Sequence, residues 1–306
     1  MATTIARKYK IASLRLLVEN TPDLTCSDRL EPFATDEPET DYRLRFRPSE
    51  SDEPEHAECG PRLDSIITDE YQYRWSIYTD SLGREGVTVS FDTHEWLQWA
   101  DALIDGREVT IAYRKKAGAA LGSTYIFPLF NLIMNRLLNR NRGIAVHSSV
   151  VCDGGRGYLF TAVSGTGKST MAKIWERAGA TIVNDDAIMV DTNPETPVAH
   201  NIPMPYYTDV PKSAPLDAIF LISQSPVNVL EPVTGAAAAM QFMTNTVHHS
   251  HAADSIERHL QSINRICSRV PIFRLGFKPD ADVVDLIRKT NLTEHLTQWR
   301  KSTSAN

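Results

Sequence analysis

Apolar and polar residues alternate in several short segments of the first 120 residues. Period-two alternation between Gly, Asp and Ser residues is typical of half-buried antiparallel strands. The segments with this character are Tyr42–Phe46, Tyr71–Tyr78, Gly86–Phe91 and Glu108–Tyr113. They predict a small antiparallel β-rich domain over residues 1–122, in which we find no chemical motif.

One segment of this region has the spacing of a helix. Thr93–Ile104 contains His94, Trp96 and Trp99, and it predicts a short helix that interrupts the strands. An aromatic helix face is far more often part of a core than of a ligand site. Trp96 and Trp99 are therefore expected in the core, without a functional role.

The pattern changes after residue 122, where apolar strands alternate with amphipathic helices. Helices are predicted at Ile126–Asn139, Lys168–Ala178, Gly235–Asn245, Ser255–Arg265 and Asp280–Thr290. Strands are predicted at Gly143–Val151, Tyr158–Val163, Thr181–Asn184, Ala218–Ser223 and Ile272–Phe277. Such alternation is typical of an α/β nucleotide-binding domain. The sequence thus predicts an α/β domain over residues 123–306 and an α+β organisation for the whole chain.

Composition argues against several classes of protein. A net charge of −6 disfavours a nucleic-acid binder, which would carry a basic face. The longest apolar stretch, around Tyr125–Leu138, is too short to span a bilayer, and the N-terminus lacks the apolar segment of a secretory signal. Four widely spaced cysteines favour reduced thiols. We therefore expect a soluble cytoplasmic protein with no nucleic-acid or membrane partner.

Residues 162–170 read Ala-Val-Ser-Gly-Thr-Gly-Lys-Ser-Thr and lie between a predicted strand and a predicted helix. They match the phosphate-loop motif G-x-x-x-x-G-K-[ST], except that Ala162 replaces the first glycine. In this motif the loop amides and the helix N-terminus surround the phosphates, the lysine reaches the terminal phosphates, and the next hydroxyl binds Mg²⁺. The pattern therefore predicts an ATP and Mg²⁺ site. Its residues are Ser164, Gly165, Thr166, Gly167, Lys168, Ser169 and Thr170.

Two aspartates, Asp185 and Asp186, follow the predicted strand Thr181–Asn184. At a strand end near the phosphates, one carboxylate can hold the metal while the other takes a proton from an acceptor hydroxyl. The alternative is that the two acids cap a loop or a helix start.

The histidines carry a weaker signal than the aspartates. His147, on the predicted strand Gly143–Val151, has the position of an ordinary core histidine when it is judged alone. His248, His249 and His251 suggest a metal cluster, but no carboxylate or cysteine at ligand spacing completes it, which favours a polar helix end.

Together these residues resemble a known family. The run from His147-Ser-Ser-Val-Val through the loop around Lys168 to Asn184-Asp185-Asp186 is similar to the C-terminal domain of HPr kinase/phosphorylase. It looks more like the related kinases that are found with peptide-modifying gene clusters. The spacing of His147, Lys168 and Asp186 fits that family, and phosphoenolpyruvate carboxykinase shares the core. The resemblance covers about residues 140–190 and extends more loosely to the C-terminus.

The resemblance implies a role for each matching residue. Asp186 would be the base that accepts the proton of a serine-type hydroxyl, and Asp185 would support the metal shell. Lys168 would clamp the β- and γ-phosphates, and Ser169 would bind Mg²⁺. His147 would lie beside the aspartates and orient or polarise them. The related kinases assemble, so a homo-oligomer is left open.

The chain also departs from that family. Its downstream Glu-bearing metal motif and its segment linked to phosphorolysis are not found, so reversal with inorganic phosphate is not expected. The N-terminal domain does not look like that of the true HPr kinases, although substrate recognition is one role open to it. Arg274, on the strand Ile272–Phe277, either faces inward to neutralise the γ-phosphate or faces outward.

These observations favour an ATP- and Mg²⁺-dependent kinase that phosphorylates a hydroxyl of a peptide, a protein or a small molecule. One alternative is a nucleotide-dependent sensor or scaffold without chemistry of its own. A carboxykinase of the phosphoenolpyruvate type is a weaker alternative, because the chain is short for that family and the motifs for a dicarboxylate are not visible.

Overall fold

The computed structural model describes residues 5–60, 62–67, 73–249, 252–292 and 294. Their contacts divide the chain into two compact units. The first unit runs to Leu137 and also includes Pro203–Val210 and the segment 249–256. The second unit comprises Leu138–Ile202, Pro211–His248 and the chain from Glu257.

The first unit is built on an eight-stranded sheet with the order β1-β2-β4-β9-β8-β7-β6-β5. A separate parallel pair is formed by β3 and β10, and a 3₁₀ turn covers Glu31–Phe33. The strands are β1 (Ile5–Ile11), β2 (Leu14–Asn20), β3 (Leu24–Thr25), β4 (Tyr42–Pro48), β5 (Arg62–Ile67), β6 (Tyr73–Thr79), β7 (Glu85–Phe91), β8 (Leu97–Asp105), β9 (Glu108–Lys115) and β10 (Gly122–Ser123). Helix α1 covers Leu129–Arg140.

The sheet confirms the predicted strands and corrects their arrangement. β4 pairs in parallel with both β2 and β9, whereas the other pairs of this sheet are antiparallel. Tyr71, which the sequence assigned to a strand, lies outside the described residues, and β6 begins at Tyr73. β1 and β2 were not anticipated, although β2 alternates buried and half-buried residues along its whole length.

The predicted helix over Thr93–Ile104 is wrong. Most of this segment is β8, which hydrogen-bonds to β7 on one side and to β9 on the other. A register shift between Leu97 and Trp99 interrupts the alternation of the strand, and this irregularity imitates helical spacing. Trp96 and Trp99 are buried, as expected.

The second unit is a mixed α/β structure. Its sheet has the order β12-β11-β13-β14-β15-β18-β16, and an additional β12–β15 pairing closes the first five of these strands into a ring. The strands are β11 (Gly143–Asp153), β12 (Arg156–Thr161), β13 (Thr181–Asp191), β14 (Val198–His200), β15 (Ser213–Gln224), β16 (Val229–Val233), β17 (Thr246–Val247, paired with β11) and β18 (Ile272–Phe277). The helices are α2 (Lys168–Arg177), α3 (Gly235–Met243), α4 (Ala253–Arg269) and α5 (Asp282–Lys289).

Helices cover both faces of the parallel strands β12, β15 and β18. One apolar cluster includes Phe242 of α3 and Ile263 of α4. The other includes Trp175 of α2 and Ile287 of α5. Parallel strands that are buried in this way read as continuous apolar runs, which is why β15 and β18 were predictable from the sequence.

Most of the predicted elements after residue 122 are confirmed, with ends that shift by a few residues. The prediction that a strand ends just before Asp185 is wrong. β13 continues to Asp191, and its pairing with β11 runs through both aspartates, with Ser149 opposite Asp185 and Ser148 opposite Asp186. None of the helices in the described parts of the chain is long and apolar enough to cross a bilayer.

Candidate functional site

The loop of residues 162–167 connects β12 to α2 at the carboxyl edge of the parallel strands. Gly165 and Gly167 have φ angles of +80° and +118°, which L-residues rarely adopt. A Cβ atom at Gly167 would lie 2.9 Å from Cζ of Phe277, at the end of β18. Both the backbone conformation and the available space therefore require glycine at this position.

Lys168, the first residue of α2, is largely buried at 8% exposure. Its Nζ atom donates hydrogen bonds to the carbonyl oxygens of Ala162 (3.0 Å) and Val163 (3.3 Å). Burial lowers the pKa of Lys168, and the negative charges of Asp186 and Asp185 partly oppose this shift. The lysine therefore lies in a partly dry position where both carboxylates act on its charge.

The N-terminus of α2 is open to an anion. Among the residues that the structure describes, no side chain caps it, so its first amides have no side-chain acceptor there. Ser164, Ser169 and Thr170 are exposed beside it, whereas Lys168 is buried. Uncapped amides at a helix N-terminus favour phosphate groups.

His147 and Asp186 lie together on the adjacent strands β11 and β13. The His147 Nδ1 atom is 3.3 Å from Oδ1 of Asp186, and both side chains are a little over 40% exposed. The backbone of His147 is fixed from two sides: its N–H donates to the carbonyl oxygen of Asn245 at 3.1 Å, and its carbonyl accepts from Oγ1 of Thr161 at 2.8 Å. The backbone of His147 is therefore held in place, while the Asp186 carboxylate beside its imidazole stays accessible.

Asp185 has a different set of contacts from Asp186. The Ser149 hydroxyl donates a hydrogen bond to Oδ1 of Asp185. The Asn184 side chain hydrogen-bonds to the backbone at both ends of the segment Asp185–Ala187. Its Oδ1 accepts from the Asp185 N–H at 2.6 Å, and its Nδ2 donates to the Ala187 carbonyl at 3.0 Å. The structure thus gives the two acids separate environments.

No family model and no curated protein matches the chain. Among solved structures, it is similar to the HPr(Ser) kinase/phosphatase from Coxiella burnetii. The identity is 12% and the TM-score is 0.24, and the alignment covers 40% of this chain and 96% of that chain.

The structure adds four residues that the sequence did not point to. Ser149 and Asn184 fix Asp185, and Thr161 and Asn245 fix the backbone of His147. Asn184 carried a local signal, since it directly precedes the aspartates and amide side chains often bond to nearby backbone groups. Ser149, Thr161 and Asn245 become neighbours of the site only through strand pairing and the end of α3.

The other residues that the sequence singled out have different surroundings. The His248 ring contacts His259, with centroids 4.5 Å apart, and the His249 ring contacts Trp75 at 4.9 Å. His251 lies outside the described residues. Within the part of the chain that the structure describes, no three His, Cys, Asp or Glu side chains gather into a metal-binding group.

Arg274 lies on β18 with its side chain exposed, and its Nε atom donates to Oε1 of Gln241 in α3 at 2.9 Å. It lines a cavity that also involves the loop residues Ala162, Val163 and Thr166. The outward position that the sequence left open thus borders the Gly-rich loop.

The residues present suit a nucleotide with Mg²⁺. The loop offers an uncapped helix N-terminus, a buried lysine and the exposed hydroxyl of Ser169. Mg²⁺ prefers hard oxygen ligands and is usually held by one or two carboxylates together with phosphate oxygens and water. Ser169 and Asp185 are the residues that would hold it.

Proposed function

We propose that this protein is an ATP- and Mg²⁺-dependent kinase. It transfers the γ-phosphate to a serine-type hydroxyl of a peptide, a protein or a small molecule, and Asp186 is the base. The observation that carries this proposal is the meeting of a Gly-rich loop, a buried Lys168 and a His147–Asp186 pair in one unit. Both aspartates act on the charge of the lysine.

The phosphate-binding role follows from the loop. In the proposed complex, the residues Ser164, Gly165, Thr166, Gly167, Lys168, Ser169 and Thr170 surround the phosphates. Lys168 exchanges its two carbonyl contacts for β- and γ-phosphate oxygens, which neutralise its charge better than neutral carbonyls do. When bound, Mg²⁺ supplies neutralisation of the charge that develops on the phosphates. Ser169 and Asp185 would hold that ion.

The proposed reaction needs one proton transfer from the acceptor. The acceptor hydroxyl gives its proton to a carboxylate oxygen of Asp186 while its oxygen bonds to the γ-phosphorus, and the bond from that phosphorus to the ADP oxygen breaks. His147, 3.3 Å from Asp186, orients this carboxylate. Phosphoryl transfer depends mainly on positioning and charge neutralisation, and these residues would supply both.

The test separates transfer from nucleotide binding. Asp186→Asn should lower phosphate transfer from γ-labelled ATP to a peptide pool or cell extract by about 10²–10⁴-fold, the usual contribution of a general base. Binding of a fluorescent ATP analogue should stay close to that of the wild type. Asp285→Asn on α5, which removes a carboxylate 64% exposed, is the matched control. Normal transfer by Asp186→Asn would show that the base is assigned wrongly.

A second candidate is a nucleotide-dependent sensor without turnover. It is favoured by one difference from HPr kinase/phosphorylase: the Glu-bearing metal motif of that family is not found in this sequence. In that case the protein binds ATP in thermal-shift measurements, but neither a peptide pool nor a cell extract becomes labelled. The Asp186→Asn variant then behaves like the wild type in every assay.

A further inference from the structure

A cavity of about 400 Å³ opens beside the Gly-rich loop, entirely within the second unit. Its walls come from the loop after β12, from the end of β15, from the C-terminal part of α3 with the residues that follow, and from β18. Most of its lining side chains carry hydroxyl or amide groups. Among the described residues, the only charged side chain in its lining is Arg274.

Two walls of the cavity contain residues that hydrogen-bond to His147 and Lys168. Thr161 and Asn245 line it, and these are the residues that hydrogen-bond to the backbone of His147. Ala162 and Val163 line it as well, and their carbonyl oxygens accept from Lys168. The cavity therefore adjoins the residues that hydrogen-bond to Lys168 and to the backbone of His147.

Arg274 is available to a ligand. Its one hydrogen bond to a side chain in the described chain is to Gln241, a neutral acceptor. Glu231 is its cross-strand neighbour on β16, but no ion pair within 4 Å joins them in the described chain. A guanidinium bonded only to an amide keeps most of its five donors for another acceptor. Arginine suits planar anions such as carboxylates and phosphates, which it binds through two parallel hydrogen bonds.

We propose that this cavity binds the phosphate acceptor and that Arg274 recognises an anionic group on it. The substrate class is then a hydroxyl compound or peptide that carries a carboxylate or phosphate close to the hydroxyl. The proposal depends on the proposed kinase function, because it takes the reacting hydroxyl to face Asp186. The single positive charge of the lining selects an anion, and Gln241 keeps the guanidinium oriented.

The test compares an anionic probe with its neutral amide. N-acetyl-L-serine and N-acetyl-L-serinamide differ only in the carboxylate. Binding of each to the full chain, with Mg²⁺ and a non-hydrolysable ATP analogue present, is measured by ligand-observed NMR titration. We expect the wild type to bind the acid about tenfold or more tightly than the amide. Arg274→Gln should remove this preference, and Arg274→Lys should retain part of it.

Arg177→Gln is the matched control, since it removes an exposed arginine at the end of α2 without touching the cavity. It should bind both probes as the wild type does. Circular dichroism and thermal melting check that each variant is folded.

Several results would overturn the proposal. These are equal binding of acid and amide by the wild type, no binding of either probe, or a preference that survives Arg274→Gln. Loss of ATP-analogue binding in Arg274→Gln would also overturn it, because the arginine would then belong to the nucleotide site. Failure of the kinase function has a different signature: the acid preference remains, but the protein transfers no phosphate to any acceptor.

Discussion

The position of Lys168 in the structure changes the pKa of its side chain. Its ammonium group is buried among backbone carbonyls, which lowers its pKa below the usual lysine value, while Asp185 and Asp186 oppose the shift. Phosphate groups would stabilise the charged form further, so nucleotide binding and protonation of this lysine are linked.

This linkage predicts a pH dependence of ATP binding. The protein without nucleotide loses the Lys168 proton at a lower pH than an ordinary lysine, whereas the nucleotide complex favours the charged form. The Kd for Mg-ATP should therefore rise towards about tenfold per pH unit once the pH exceeds this lowered pKa. Calorimetric titrations at a series of increasing pH values would measure it. Arg274→Gln should keep the dependence, whereas Lys168→Arg should flatten it, because a guanidinium stays charged. A flat wild-type profile would contradict the linkage.

Gly167 is the second residue whose chemistry is fixed by its position. We expect Gly167→Ala to destabilise the protein by more than the ~1–2 kcal/mol of a left-handed backbone, because its Cβ also meets Phe277. Gly165→Ala is the matched control: its φ is also positive, but nothing lies within 4 Å of the added Cβ, so it should cost only the backbone part. Urea denaturation measures both. Equal losses would mean that the Phe277 contact relaxes freely.

At the scale of elements, the pairing of β11 with β13 assembles the site. The register places Ser149 opposite Asp185, and it brings His147 close to Asp186. The Asn184 side chain also hydrogen-bonds to the Asp185 N–H and to the Ala187 carbonyl, which stabilises the segment that carries both acids. Each acid is thus positioned by a neighbouring strand rather than by a flexible loop end.

The substitution Asn184→Ala tests whether the two hydrogen bonds of the Asn184 side chain position the aspartates. The substitution leaves two half-buried backbone groups without their side-chain partner, which should cost about 1 kcal/mol of unfolding free energy. It should also lower phosphate transfer more than it lowers nucleotide affinity, because the loop around Lys168 is unchanged. Urea denaturation, transfer assays and nucleotide titration give the three quantities. Asn184→Asp keeps an acceptor for the Asp185 N–H but places a carboxylate oxygen against the Ala187 carbonyl, so it should not restore the wild-type stability. A wild-type rate of phosphate transfer in the Asn184→Ala variant would show that these hydrogen bonds do not position the aspartates.

At the scale of the whole molecule, the chain forms two compact units. In the first unit, the nearly inaccessible Asp101 on β8 accepts from the His56 N–H at 2.9 Å and from the Tyr78 hydroxyl at 2.6 Å. The Nδ1 atom of His56 is also 2.9 Å from the same carboxylate. Burial and the Asp101 charge raise the pKa of Tyr78, which keeps its hydroxyl protonated as a donor.

Removal of the Asp101 carboxylate should lower the stability of the first unit. Asp101→Ala leaves buried donors without their acceptor, and we expect a loss of about 3 kcal/mol. Hydrogen exchange followed by mass spectrometry should show faster exchange in β7 and β8, while β12 and β15 of the second unit keep their protection. Asp105→Ala, which removes an exposed acid on the same strand, should change stability by less than about 1 kcal/mol. Equal exchange in Asp101→Ala and the wild type would show that this cluster is not a stabilising feature.

Features that a local residue pattern specifies could be predicted from the sequence, whereas features that depend on strand pairing could not. The Gly-rich loop could be predicted because its glycines lie between an apolar strand and an amphipathic helix. β15 and β18 could be predicted because buried parallel strands are mostly apolar. The helix expected at Thr93–Ile104 failed because an irregular register in β8 disturbs the strand pattern. The strand end expected at Asp185 failed because its partner, β11, continues beyond that point.

By itself, the sequence determined the α/β character after residue 122, the loop around Lys168 and the aspartates as candidate acids, since these depend on residue types at short spacing. Only the tertiary structure decided which side chain accompanies each acid, the dry setting of Lys168 and the cavity beside Arg274. Those features depend on strand register and on contacts between residues far apart in the chain, and no local pattern encodes such distances.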